Sequence, residues 1–310
     1  MMLCCGETMI DFVPIPGENA YRQCPGGSIM NIAVGLGRLQ VPVGFFCKIS
    51  TDFFGKYLVK FIEDNNVDVS LCPRSDDLTA LAFDILPEDG SQEPQFAFYA
   101  KDSADRNLTI DELPSVLDEK IRGIHFGSLA LVLEPCATAY TTLMRRESRK
   151  RIITLDPNIR SGMIEDKPTY LQNFKSWLEH IDILRLSTAD LEWMYPGIGW
   201  QAMLPKWFEA GISLVFVTQG AQGASVCTPS GQPVFVPAEK VSVSDTVGAG
   251  DTFFAAALAF LYDHGVLYNR SKLRNLDDKF LAECLTYAGH AAAINCTREG
   301  ADPPYKHEMN

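Results

Sequence analysis

Residues 245–261 read DTVGAGDTFFAAALAFL. Gly248, Ala249 and Gly250 are small enough for the backbone to come close to a ligand and to take φ values that other residues avoid. The helix after them is apolar on every side, so it must be buried and its N-terminus fixed. Free N–H groups at that end, together with the helix dipole, make an anion site. Asp251 puts a carboxylate at the same spot. A carboxylate beside an anion hole suits removal of a proton from a hydroxyl while the hole holds the phosphoryl group under attack. A plain helix cap is the competing reading of Asp251, and this string alone divides evenly between the two.

The surroundings supply the burial that such a helix needs. Strand-like runs at 3–7, 44–50, 123–128, 151–156, 183–187 and 214–218 alternate with helical patterns at 28–39, 53–64, 136–149, 169–180, 200–210, 253–264 and 280–296. That succession predicts an α/β fold: a doubly wound, mostly parallel sheet with helices on both faces. Two stretches break the rhythm, 10–24 and 79–100, where TALAFDIL and QFAFYA flank a turn around Pro87 to Gly90. They read as antiparallel strands without helices of their own, a small β-sheet lid inserted into a single domain spanning 1–310. A late hairpin is expected from GASVCT and PVFVP around Pro229 to Gly231.

Composition sets limits on function. Of 310 residues, 46% are apolar and 21% charged, as in an ordinary soluble protein. The net charge of -12 argues against a surface that attracts nucleic acid or anionic lipid. Nine cysteines, an odd number without C-x-x-C spacing, make a disulfide framework or a zinc site unexpected and point to a reducing, cytoplasmic setting. The N-terminus has no basic region and carries Glu7 and Asp11, so it reads as a first strand and not as a signal peptide. The longest apolar run, 253–262, is about half of the ~20 residues needed to span a bilayer. Five histidines at 125, 180, 264, 290 and 307 have no ligand spacing and read as surface or satisfied core.

A second glycine-led helix opens at PGGSIMNIAVGLGRL, residues 25–39. Gly26 and Gly27 would let a small ligand pack on bare backbone, and Asn31 can both donate to and accept from sugar hydroxyls; a tight turn capped by Ser28 is the blander account. Neither segment fits the phosphate loop of P-loop enzymes or the dinucleotide fingerprint.

Together these segments resemble the ribokinase-like carbohydrate kinases, the PfkB family, and in particular its fructokinase-like members. PGGSIMNIAVGLGRL is similar to that family's first signature and DTVGAGDTF to its second. GETMID (6–11), LDPNIR (155–160), LRLSTADLEW (184–193), VTQGAQG (217–223) and TREGADPP (297–304) come in family order. The resemblance covers essentially the whole chain and implies a ribokinase-like fold. It implies Asp251 as the base, with Gly248, Ala249 and Gly250 as the anion hole. Asp11, Gly27, Asn31, Phe98 and Arg160 would hold the sugar, Arg160 facing the sugar or the phosphate path. Ser187, Thr218, Gly220, Gly223, Asn295 and Gly300 would lie along ATP. Asp245 and Val247 match positions that hold potassium in many members.

Where many members have Asn-x-x-Glu, this chain has Ser187 to Asp190, so Asp190, with Glu192 as an alternative, would stand near magnesium held mostly by phosphates and water. Phe96, Phe98 and Tyr99 alternate as a strand should, so at least two of them are expected in sheet packing. Ala100 stands where fructokinase-like members often carry arginine. Fructose is the expected substrate, with ribose, 2-keto-3-deoxygluconate and aminoimidazole riboside as alternatives in the same frame. A non-catalytic sugar or nucleotide sensor is the alternative of another class, although a sensor has no use for Asp251. Pairing of lid sheets would give a homodimer.

Overall fold

The computed structural model describes residues 1–15, 17–85 and 95–309. In chain order the strands are β1 (Met2–Cys5), β2 (Met9–Pro14), β3 (Tyr21–Gly26), β4 (Val43–Phe46), β5 (Ile49–Ser50), β6 (Val67–Asp68), β7 (Arg74–Ser75), β8 (Leu81–Ile85), β9 (Gln95–Tyr99), β10 (Gly123–Gly127), β11 (Ile152–Asp156), β12 (Ile183–Ser187), β13 (Leu214–Thr218), β14 (Gly223–Cys227) and β15 (Val234–Pro237). The α-helices are α1 (Ser28–Arg38), α2 (Phe53–Asp64), α3 (Cys136–Glu147), α4 (Lys167–Trp177), α5 (Thr188–Met194), α6 (Leu204–Glu209), α7 (Ala249–Asp263), α8 (Arg270–Leu273) and α9 (Asp278–Cys296).

Among the described residues the large sheet runs β15-β14-β13-β12-β11-β10-β1-β4-β6. It is parallel except for β14 and β15, the expected late hairpin, which pair antiparallel on the edge. The strands are apolar on both faces because both are covered. Met2 and Cys4 pack with α1, α7 and α9, while Leu3 and Cys5, one residue out of phase, pack with α3, α4 and α6. Helix α7 lies between α1 and α9 and is buried from Asp251 to Leu261, as its uniform apolarity requires. Burying a side chain such as Phe254 or Leu258 completely contributes about 1.5–3 kcal/mol each. Helix α1 gets close to α7 at Gly35, where a Cβ would stand 2.7 Å from the Cβ of Ala255.

The second sheet, β3-β2-β8-β9, stands apart from this body. Its two halves are antiparallel hairpins, as expected, but they join through a parallel pairing of β2 with β8 that the local sequence does not signal. The turn around Pro87 to Gly90 lies outside the described residues. One face carries Met9, Ala82 and Ala100, which pack against Leu129 of the main body. The other carries Phe12 and Phe83, stacked 4.6 Å apart, with Tyr21 and Tyr99 edge-on to Phe83.

Several boundaries differ from the sequence reading. The run 44–50 is two strands, β4 and β5, and 200–210 is a 3-10 turn (Trp200–Ala202) followed by α6, with Pro205 in its first turn. Helix α5 was not expected. Its Ser187 and Asp190 form a reciprocal capping box that only becomes legible once β12 is known to end at Ser187.

Candidate active site

The chain runs from β1 outward to β4 and β6, then crosses back to build β10 to β15 on the other side of β1. In open α/β sheets ligands bind outside the carboxyl ends of the strands at such a reversal. A cavity of about 340 Å³ opens there, bordered by residues after the ends of β1, β10, β11 and β12, by the first turns of α1 and α7, and by Asp11 and Phe98 of the small sheet.

Asp251 lies in its wall, 6% exposed. It is not the cap of its helix. Gly248 holds the N-cap position at φ +71°, a left-handed conformation that glycine adopts without strain. Asp251 sits three residues further on with both carboxylate oxygens turned across the cavity. Ser28 Oγ donates to Oδ1 at 2.7 Å, Asn158 Nδ2 to the same oxygen at 3.4 Å, and Asn31 Nδ2 to Oδ2 at 2.9 Å. The glycine-led turn before α1 thus serves Asp251: Gly27, at φ +114°, is the N-cap residue of α1, and Ser28 and Asn31 project from its first turn.

The hole beside Asp251 is narrower than the sequence suggests. The Ala249 N–H is already bonded to Thr246 O at 3.2 Å, and Ala249 does not line the cavity, whereas Gly248 and Gly250 do. The N–H groups of Gly250 and Asp251 precede the first carbonyl that α7 can offer them. Asp245 braces the loop, its Oδ1 accepting from Val247 N at 3.0 Å and its Oδ2 from Gly300 N at 2.8 Å. Asn295 is fully buried: its Nδ2 donates to Val247 O at 2.8 Å and its Oδ1 accepts from Thr252 Oγ1 at 3.1 Å. It pins the loop and is not open to a nucleotide, a correction to the expected ATP contact.

The pfkB family carbohydrate kinase profile matches residues 1–308. The chain belongs to the PfkB family of carbohydrate kinases. A fructokinase from Rhizobium leguminosarum bv. trifolii is 39% identical over 284 residues, 91% of this chain and 85% of that protein. Among solved structures, the fructokinase from Xylella fastidiosa with bound ATP superposes with a TM-score of 0.89 at 25% identity, covering 99% of this chain and 96% of that one. The fructokinase from Vibrio cholerae O395, in its fructose, ADP and calcium ion bound form, gives 0.83 at 25% identity, covering 97% and 94%.

In this carbohydrate kinase the cavity gathers Asp11, Gly27, Asn31, Phe98, Arg160, Ser187, Asp190, Val247, Gly248, Gly250 and Asp251. Of the three aromatic residues in β9, Phe98 faces the cavity and Tyr99 faces away, 66% exposed. Arg160 Nη1 donates to Asn158 Oδ1 at 2.6 Å. Thr218, at the end of β13, does not line the cavity; its Oγ1 accepts from Arg185 Nη2 at 2.7 Å. Gly220 and Gly223 come after it at φ +56° and +127°.

Glu192 is not in the cavity: its carboxylate accepts from Gly197 N at 3.2 Å, closing the turn after α5, which removes it as the alternative magnesium residue. Asp190 does line the cavity, with Oδ1 accepting from Ile159 N at 2.8 Å and Oδ2 from both Ser187 N at 2.8 Å and Ser187 Oγ at 2.6 Å. Oδ1 retains a lone pair for a hydrated cation, which fits a magnesium ion held mainly by phosphate and water. Among the described residues no group of three or more His, Cys, Asp or Glu side chains forms a metal cage.

Glu7, Asn158 and Arg185 also line the cavity and had no role in the sequence reading. Glu7 lines the cavity, accepting from Ser28 N at 3.1 Å and Ala130 N at 3.3 Å, and burial pushes its carboxyl up to about 7. Asn158 holds Asp251 and Ser28 while in a left-handed conformation, φ +35°. Arg185 is a charge in the middle of a strand covered on both faces. A signal was available for it: an arginine between Leu184 and Leu186 in an otherwise buried strand requires an internal partner.

Proposed function

We propose that this kinase is a fructokinase, moving the γ-phosphoryl group of ATP to a primary hydroxyl of fructose with Asp251 as general base. The observation that carries the reading is the Asp251 carboxylate held on both oxygens by Ser28, Asn31 and Asn158, at the α7 N-terminus and facing a sugar-sized cavity. Asp11, Gly27, Asn31, Phe98 and Arg160 would hold the sugar, the side chains among them by hydroxyl hydrogen bonds and ring contact. ATP would lie along Ser187, Thr218, Gly220 and Gly223, with its γ-phosphoryl group on the N–H groups of Gly248, Gly250 and Asp251. Asp251 takes the hydroxyl proton as the sugar oxygen bonds to phosphorus and the bond to the β-phosphate oxygen breaks, releasing ADP. Magnesium, when bound, neutralises the phosphate charge, with Asp190 in reach through water. Potassium would sit where Asp245 and Val247 brace the hole against Gly300.

The small sheet acts as the lid of a single kinase domain, closing Asp11 and Phe98 over the sugar to exclude water. Its aromatic outer face, with Tyr99 66% and Tyr21 49% exposed, suits pairing with the lid of a second copy. The cysteines are all free, in keeping with a reducing cytoplasm. Among the described residues no helix is long and apolar enough to cross a membrane.

Fructose as substrate rests on the fructokinases this chain resembles and on the lid that faces Asp251. A coupled ADP-release assay over a sugar panel tests it. Fructose is expected to give the highest kcat/KM; ribose, 2-keto-3-deoxygluconate or aminoimidazole riboside exceeding it by more than about tenfold, ~1.4 kcal/mol in transition-state binding, would overturn the assignment.

A further inference from the structure

Arg185 neither carries the proton nor touches the sugar in this mechanism, yet its surroundings give it a part. Its side chain, 6% exposed, reaches the cavity wall from β12. Nη1 donates to Asp156 Oδ2 at 2.6 Å and Nη2 to Thr218 Oγ1 at 2.7 Å, so two neighbouring strands hold the guanidinium in place. It lies directly under the first turn of α7: a Cβ on Gly250 would stand 2.6 Å from Nη2. The guanidinium therefore lies against the backbone of Gly250, one of the residues of the hole. Nε is buried without a hydrogen-bond partner among the described residues.

A second line runs from the same pair to the base. Asp156 Oδ1 accepts from Asn158 N at 3.1 Å, which helps hold Asn158 in its left-handed conformation, and Asn158 Nδ2 then reaches Ser28 Oγ at 2.6 Å and Asp251 Oδ1 at 3.4 Å. Left-handed residues other than glycine persist only where the surroundings over-determine them.

We propose that Arg185 is a positioning residue for phosphoryl transfer: paired with Asp156, it sets a fixed positive charge behind the α7 anion hole and, through Asp156 and Asn158, aligns the Asp251 carboxylate. The inference rests on the reading of Asp251 as the base. Charge spreads onto the phosphoryl oxygens during transfer, and a cation already fixed in a low-dielectric wall stabilises that charge without reorganising.

Removing Arg185 alone would strand a buried Asp156, so the test variant removes both, Arg185→Met with Asp156→Leu, an exchange of a buried pair for apolar side chains that proteins commonly tolerate. With folding confirmed by thermal melting, kcat is expected to fall by about 10²–10³ while the sugar KM stays within about threefold. Affinity for ADP should be unchanged, and affinity for ADP with aluminium fluoride and magnesium, a mimic of the transferring group, should drop more than about tenfold. Arg185→Lys, which keeps the charge, should recover a large part of kcat. A folded double variant that keeps more than about a third of wild-type kcat, or loses ADP and the mimic equally, overturns the proposal. If the double variant does not fold, Asn158→Ala decides: kcat should fall at least about tenfold, and an unchanged kcat refutes the chain of contacts. The mimic titration needs no sugar, so it reports on Arg185 even if fructose proves to be the wrong substrate.

Discussion

Replacing Asp251 by Asn removes the base and changes almost nothing else. The carboxylate accepts from Ser28 Oγ, Asn31 Nδ2 and Asn158 Nδ2. An Asn side chain can keep the bond from Asn31 through its carbonyl oxygen, but its amide would then point at Ser28 Oγ, which already accepts from Asn158 at 2.6 Å. The two bonds to Oδ1, the short one from Ser28 and the long one from Asn158, are lost or reversed, a cost of about 1–3 kcal/mol for each group left unpaired. Against a usual stability of roughly 5–15 kcal/mol, the variant stays folded. Since Gly248 and not Asp251 holds the N-cap position, no capping bond is at stake. Catalysis is affected far more: loss of a positioned general base lowers kcat by roughly 10²–10⁴, or about 3–5 kcal/mol in the barrier. The assay is coupled ADP release at saturating ATP, magnesium and fructose, with thermal melting of the same preparation. A folded Asp251→Asn protein keeping more than about a tenth of wild-type kcat would refute the catalytic assignment.

The same geometry makes two further outcomes testable. Tyr99→Glu places a charge on the aromatic outer face of the lid, and sedimentation should show a shift from dimer to monomer; a wild type that is monomeric at all concentrations would remove the pairing. Burial lifts the folded-state carboxyls of Glu7 to about 7 and of Asp105 to about 6, so each contributes less to stability as pH rises from about 4.5 to 7, while His125, lowered by burial to about 3, contributes with the opposite sign. At the two carboxyls the folded chain keeps protons that the unfolded chain releases, so their stabilisation is complete below the unfolded pKa and lost as pH passes the folded one. Glu7→Gln should remove the Glu7 contribution, a change relative to wild type on the order of 3 kcal/mol across the window, read by urea unfolding at fixed pH steps; an identical pH dependence in the variant would rule Glu7 out.

Much of this protein is determined locally. Apolar runs of strand length, helical periodicity between them and a helix apolar on every side are properties of neighbouring residues, and they were enough for the sheet, its covering helices and the glycine-led turns before α1 and α7. Asp251, Asn31 and Gly27 were legible for the same reason, since each belongs to a short string with its own signature. Tertiary structure decided what those residues face. Whether Asp251 capped its helix or looked into a cavity depended on Ser28 and Asn31, more than two hundred residues away in sequence, and no local pattern records that contact. The same holds for the losses: Asn295 has a residue type that suits a nucleotide, but burial commits it to Val247 and Thr252, and Glu192 is committed to Gly197. Arg185 and Asp156 come from two strands that meet only in the folded sheet, and Asn158 from the loop after β11, so their joint position near α7 exists only there. The parallel join of β2 to β8 was hidden likewise, because strand register is set by burial against the whole body and not by the residues of either strand.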